Sequence, residues 1–179
     1  MTTFLRVGLA LVIGARLFVL GPGDCGAAET RTIFYKSLPA NSKFTQQHTL
    51  DVGDVPGHQV RIYEHHRTFP TNPPTFDGTR VSEVWNRAYS DYTNLNGRAW
   101  GYSIYSLENG DKIFARYEGT THSVVGSDGS RKTMFAGVIT LTGGTGKFRG
   151  IRGLIRTTST FDPKANVSET QDEGEYWLE

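Results

Sequence analysis

The strongest constraint in this sequence is a two-residue alternation of apolar and polar side chains that recurs in segment after segment beyond residue 30. Residues 59–69 alternate in this way, and residues 80–92 do so again. This period places successive side chains on opposite faces of a β-strand. Beyond residue 30 no stretch of a dozen residues has the 3.6-residue period of a helix, and the best helix candidate is a turn or two near residues 38–44. The sequence therefore predicts an all-β chain.

Polar turns separate the alternating segments at short, regular intervals. The sequence ENGD at 108–111 joins two runs as a hairpin, and GSDGS at 126–130 joins two more. Short strands with polar turns favour an antiparallel barrel or sandwich. The proline-rich residues 69–78 predict a long loop, because proline cannot donate to a β-ladder.

The glycine-rich sequence TLTGGTGKFRGIRG at 140–153 raises the question of a phosphate-binding loop. A P-loop needs glycine at position 141 and a hydroxyl at position 148, where this chain has Leu141 and Phe148. The dinucleotide motif needs glycine at 149, which is Arg149. We therefore interpret the glycines as a structural turn and expect a positive φ at Gly144 or Gly146. The glycines of this turn are Gly143, Gly144, Gly146, Gly150 and Gly153.

The N-terminus has the pattern of a secretory signal peptide. A short basic start precedes an apolar run at 7–20, and small residues follow at 26–28. The run is shorter than a membrane span and contains Arg16. We predict a signal peptide over 1–28, a single domain over 29–179, and a periplasmic or extracellular location.

Charge and cysteine content narrow the function of the mature chain. The full chain has 19 basic and 18 acidic residues, and loss of Arg6, Arg16 and Asp24 leaves 17 of each. A nearly neutral domain is a poor candidate for nucleic-acid binding, which needs a basic face. Cys25 would leave with the signal peptide, so we expect neither a disulfide nor thiol chemistry.

Three motifs in the second half resemble the allene oxide cyclase-like and dirigent-like barrel superfamily. They are ENGDKIFARYEGT, then MFAGVITLTGGTGKFRGIRG, then a terminal EYWLE. The resemblance covers residues 95–179 well and 45–95 loosely. It implies an eight-stranded antiparallel closed barrel of calycin-like form with a ligand cavity, and a homodimer or homotrimer. It implies no single reaction.

The faces of two strands suggest a polar site. On one strand Val60 and Ile62 share a face with Glu64 and His66, so we expect this face to point into the barrel. On the next, Glu83 lies between apolar neighbours. A buried carboxylate beside a histidine can move protons, which makes Glu64, His66 and Glu83 the catalytic candidates. The alternative is that these charges face water or form salt bridges at the rim.

Further residues are candidates for ligand contact, with simple core packing as the alternative. Adjacent His65 and His66 point to opposite faces of one strand and cannot share one metal ion, so we expect no metal and no cofactor. The ligand-binding candidates are Trp85, Tyr89, Tyr102, Arg116 and Tyr117.

Together these features predict a secreted protein that binds a small apolar or aromatic molecule and has no membrane span after processing. Two alternatives stay open at this point. One is a cofactor-free isomerase or cyclase that guides stereochemistry by the shape of its cavity. The other is an oligomeric structural protein of the cell envelope. The sequence does not decide whether the protein is an enzyme.

The processing hypothesis has a direct test. We expect the exported protein to begin near Ala28 or Glu29, because the small residues that end the signal-like segment lie just before them. Intact-mass measurement of the exported protein checks this. A full-length mass in the membrane fraction would contradict it.

Overall fold

The computed structural model describes residues 28–162 and 167–179, and nearly all of the predicted signal peptide lies outside them. The described part is all-β, which confirms the predicted class. Two short 3₁₀ turns, Pro39–Asn41 and Gly146–Phe148, lie in the connections between strands. The strands are β1 (Arg31–Ser37), β2 (Ser42–Asp51), β3 (His58–Thr68), β4 (Thr75–Phe76), β5 (Thr79–Thr93), β6 (Asn96–Leu107), β7 (Lys112–Val125), β8 (Arg131–Gly144), β9 (Ile151–Asp162) and β10 (Val167–Leu178).

The strands form one antiparallel sheet. Their order across it is β1-β10-β9-β8-β7-β6-β5-β3-β2, with the two-residue β4 paired to β5 off this path. From β5 to β10 each strand therefore pairs with the next in the chain. The hairpins predicted at 108–111 and 126–130 are confirmed as the β6–β7 and β7–β8 connections.

The predicted eight-stranded closed barrel is wrong. The sheet has ten strands and is open, since β1 and β2 end it and do not pair with each other. The two edge strands are consecutive in the chain and are separated by the turn at Pro39–Asn41. Almost every residue of β2 is exposed, so this strand extends beyond the packed part of the sheet.

The open sheet is nevertheless curled, because side chains from distant strands meet on its concave face. The hydroxyl of Tyr35 on β1 lies 3.1 Å from that of Tyr105 on β6. Arg67 on β3 lies 3.7 Å from Asp172 on β10. Strands that are far apart in the sheet order are thus close in space, as the right-handed twist of a large sheet allows.

Apolar side chains fill one end of the concave face. Phe76 from β4 and Phe148 from the second 3₁₀ turn are fully buried there. The proline-rich segment 69–78 thus includes more than the predicted loop, because Phe76 covers the core. The buried cluster includes Ile33, Tyr35, Phe69, Phe76, Val81, Val84, Tyr105, Leu107, Ile113, Leu141, Phe148, Ile151, Ile155 and Tyr176.

The glycine turn adopts the predicted structural role. Gly146 has φ +52°, which confirms the expected positive φ, and Gly143 has φ +145°. At Gly144, Gly150 and Gly153 a Cβ would press against the backbone of a neighbouring segment. The amine of the adjacent lysine, Lys147, donates to the backbone oxygen of Asp77 at 2.8 Å and pairs with its carboxylate at 3.1 Å.

Gly146 is constrained by sterics as well as by φ. A Cβ at this position would overlap the carboxylate of Asp111. That carboxylate accepts hydrogen bonds from Thr145 at 3.2 Å and from Asn109 at 2.9 Å. Moving it aside would break both hydrogen bonds, so the turn leaves no room for a side chain at Gly146.

We therefore predict that Gly146→Val destabilises the fold more than Gly129→Val. Gly129 also has a positive φ of +74°, but no atom lies within 4 Å of its Cβ position. Both variants bear the left-handed cost of about 1–2 kcal/mol, and Gly146→Val adds the clash with Asp111. Urea unfolding measures the difference. Equal losses in the two variants would contradict the steric account.

Candidate functional site

Beside the packed core, the concave face holds a cavity of about 380 Å³. This volume lies in the range of ordinary small-molecule sites. Eight of the ten strands, all except β1 and β4, contribute to its wall, together with the turn that follows β1. Among the lining residues are Ser42, Lys43, Phe44, Arg61, Tyr63, His65, Arg67, Asn86, Tyr92, Leu95, Tyr105, Tyr117, Thr121, Phe135, Ile139, Thr157, Ser159 and Phe161.

The cavity opens on one side of the sheet. Four of its lining residues, Lys43, Phe44, Leu95 and Phe161, are exposed to solvent and mark the opening. Val84, Tyr105 and Ile139 belong both to the lining and to the buried core cluster, so they form the floor. The core cluster thus closes the cavity opposite its opening.

Tyrosine side chains give the cavity wall apolar ring surfaces and a few hydroxyl groups. The hydroxyls of Tyr63 and Tyr117 lie 3.0 Å apart, and Thr121 donates to the hydroxyl of Tyr92 at 2.7 Å. Burial raises the pKa of Tyr117 well above its usual value, so its phenol stays neutral at physiological pH. Such rings can pack against an apolar ligand while their hydroxyls orient it.

The charged groups of the lining have one sign. Lys43, Arg61 and Arg67 are cations, and no aspartate or glutamate lines the cavity among the described residues. The full chain is close to neutral, with 19 basic and 18 acidic residues, so this excess is local to the cavity. It makes the cavity wall electrostatically favourable for an anion.

One carboxylate, Asp172, lies behind the cavity wall. Asp172 is fully buried and 3.7 Å from Arg67. Burial raises the pKa of Asp172, and the charge of Arg67 opposes that rise. The hydroxyls of Tyr35 and Thr157 face it, but neither carboxylate oxygen has a hydrogen bond of good geometry within the described structure. Asp172 therefore serves mainly as the counter-charge of Arg67.

His65 is the histidine that lines the cavity. Its Nε2 lies 2.6 Å from the Ser42 hydroxyl, and its ring packs against Phe44 with centroids 4.7 Å apart. Burial, reinforced by the charges of Arg67 and Arg61, lowers the pKa of His65 to about 3. The ring is therefore neutral at physiological pH and adds no charge to the site.

The three residues predicted to be catalytic do not face the cavity. His66 Nε2 lies 2.8 Å from the Glu83 carboxylate, and its ring stacks on Trp85 at 4.0 Å. Glu64 pairs with Arg87 at 2.8 Å. These pairs are neighbours on the convex face, which agrees with the alternative that the charges form salt bridges.

The face assignment on which that prediction depended is wrong. The apolar start of β3 is exposed, with Val60 at 38 % and Ile62 at 45 %. The opposite face, which carries Arg61, Tyr63 and His65, lines the cavity instead. The prediction took two aliphatic side chains as the sign of an interior face, but isolated apolar residues are common on protein surfaces.

Among the predicted ligand contacts, Tyr117 lines the cavity and the other four lie on the convex face. Tyr89 and Tyr102 are exposed at 46 % and 57 %. Arg116 lies 5.9 Å from the ring of Tyr102, and Trp85 stacks on His66. These four side chains therefore pack against neighbours on the outer surface of the sheet and do not contact the cavity.

Sequence reasoning missed Arg61, Arg67 and Asp172 as members of one site. Arg61 and Arg67 share the β3 face with Tyr63 and His65, and this run of large polar residues was the available signal. Asp172 lies between Thr170 and Gly174 on the inward face of β10, where local alternation marks the position as interior. Its pairing with β3 depends on the curl of the sheet, which no local pattern specifies.

Comparison with known proteins adds no family assignment: no family model matches the chain, and no curated protein gives a significant match. The resemblance described above therefore stays a prediction. Within residues 28–162 and 167–179, no three His, Cys, Asp or Glu side chains are grouped closely enough to hold a metal ion. In the same residues, no helix is long and apolar enough to cross a membrane.

The low pKa of His65 predicts a pH-dependent contribution to stability. Between pH 6.5 and about 3, the unfolded chain binds a proton at His65 that the native chain does not, so native stability falls as the pH falls. Between pH 7.5 and pH 5, proton binding at His65 in the unfolded chain lowers the free energy of unfolding by about 2 kcal/mol. His65→Gln removes it and should flatten the profile measured by urea unfolding.

His48→Gln is the matched control, because His48 is exposed on β2. This variant should keep the pH profile of the wild type. Hydrogen bonds to Asp91 and Asp54 raise the pKa of His58, so this residue favours the native state as the pH falls. Its effect is the same in all three proteins, because all three contain His58. Parallel profiles for wild type and His65→Gln would show that His65 is not buried as described.

Proposed function

We propose that the protein binds a small, largely apolar molecule in the cavity on its concave face. The observation that carries this proposal is the combination of an open volume of about 380 Å³ with buried polar atoms that lack partners. The Nε atoms of both Arg61 and Arg67 have no hydrogen-bond partner among the described residues. Such atoms are costly to bury unless a ligand or water satisfies them.

The geometry favours binding over the two alternatives. A cyclase that acts through a carboxylate or a histidine needs that group at the cavity surface. Asp172 lies behind the wall, and Glu64 and Glu83 lie outside it. His65 lines the cavity, but its pKa of about 3 makes it a weak base. A purely structural protein has no need of an open interior volume. Secretion and a homodimeric or homotrimeric state stay predictions, which this proposal does not require.

Filling the cavity should weaken ligand binding. The neutral fluorescent probe N-phenyl-1-naphthylamine suits the apolar wall and should bind the wild type saturably. Ile139→Trp places a large ring at the cavity floor, where Ile139 is 6 % exposed, and should weaken probe binding by about ten-fold or more. Fluorescence titration measures both affinities.

Leu154→Trp is the control for this test. Leu154 is 57 % exposed on the adjacent strand β9, so the same aliphatic-to-tryptophan change falls on the convex face. The probe should bind this variant as it binds the wild type. Equal binding to both variants would overturn the proposed function, and so would a wild type that binds neither this probe nor any other small aromatic probe saturably.

A further inference from the structure

We propose that the ligand is a monoanionic aromatic compound whose acid group binds Arg61 near the opening of the cavity. This inference rests on the proposed function and specifies its ligand. Its first support is the charge of the lining, which has three cations and no carboxylate among the described residues. A neutral apolar ligand would leave that charge uncompensated in a partly enclosed space.

Arg61 is the cation best placed to receive the anion. Its guanidinium carbon lies 4.6 Å from the ring centroid of Tyr63 and 5.3 Å from that of Phe44. Phe44 marks the opening, so the guanidinium lies near it. Nη1 donates to Gln47 at 3.0 Å, while the buried Nε has no partner. The remaining donors of a planar guanidinium match a carboxylate.

The other two cations are less suited to this role. Arg67 already faces Asp172, which offsets its charge and would repel an anion at the floor. Lys43 is exposed at the opening, where water and salt screen its charge. No carboxylate pairs with Arg61 in the described structure, so Arg61 retains an uncompensated charge at the cavity wall.

The rest of the cavity favours a ring system over a flexible chain. Tyr63, Tyr92, Tyr117 and Phe135 line the space beyond Arg61. The Tyr63–Tyr117 and Thr121–Tyr92 hydrogen bonds fix three of these rings. Fixed aromatic walls match a flat, rigid ligand, which also loses less conformational entropy on binding than an acyl chain.

The test compares 2-naphthoate with 2-naphthamide, which share a ring system and differ in charge. Isothermal calorimetry at pH 7.5 should show naphthoate binding the wild type about ten-fold more tightly than naphthamide. Arg61→Gln keeps a hydrogen-bonding side chain but removes the charge, and should bring the two affinities close together. Arg61→Lys keeps the charge and should retain part of the preference.

Arg156→Gln is the matched control, because Arg156 is exposed on the convex face of β9. This variant should retain the full preference for naphthoate. Decanoate tests the nature of the apolar part, and it should bind the wild type more weakly than naphthoate. Thermal melting curves establish that each variant is folded before its affinities are compared.

The outcomes separate this inference from the proposed function. Equal affinity for naphthoate and naphthamide, or a preference that persists in folded Arg61→Gln, would overturn the anion site even if N-phenyl-1-naphthylamine binds the cavity. Tighter binding of decanoate would overturn the aromatic part. Failure of all the probes to bind would overturn the proposed function itself.

Discussion

Contacts between side chains, rather than a backbone ladder, join the two ends of the open sheet across its concave face. The Arg67–Asp172 pair connects β3 with β10, and the Tyr35–Tyr105 hydroxyl contact connects β1 with β6. Both contacts lie in the interior, where low polarity strengthens electrostatic attraction but makes a broken pair expensive. Together with the buried apolar cluster, these contacts pack across the curled sheet that encloses the cavity.

The same pair sets the electrostatics of the site. Asp172 offsets the charge of Arg67 at the floor, whereas Arg61, near the opening, has no counter-charge in the described structure. His65 lies between the two arginines on the same strand face and is kept neutral by burial and by their charges. One strand, β3, thus presents a compensated cation, a neutral ring and an uncompensated cation along the cavity wall.

The convex face shows how an aromatic-rich surface can resemble a binding site in a sequence. The stack of His66 on Trp85 and the packing of Arg116 near Tyr102 bring together residue types that are frequent in ligand sites. Here they cover the backbone of a sheet whose opposite face holds the cavity. Alternation separates the two faces but does not say which one is concave.

The sequence by itself determined the all-β class, the hairpins at 108–111 and 126–130, and the turn at Gly146, because these depend on neighbouring residues. It also divided β3 into two faces. Only the tertiary structure decided that the Arg61 face is interior, that the sheet has ten strands and stays open, and that Asp172 meets Arg67. Those outcomes depend on contacts between residues about a hundred positions apart, which no local period encodes.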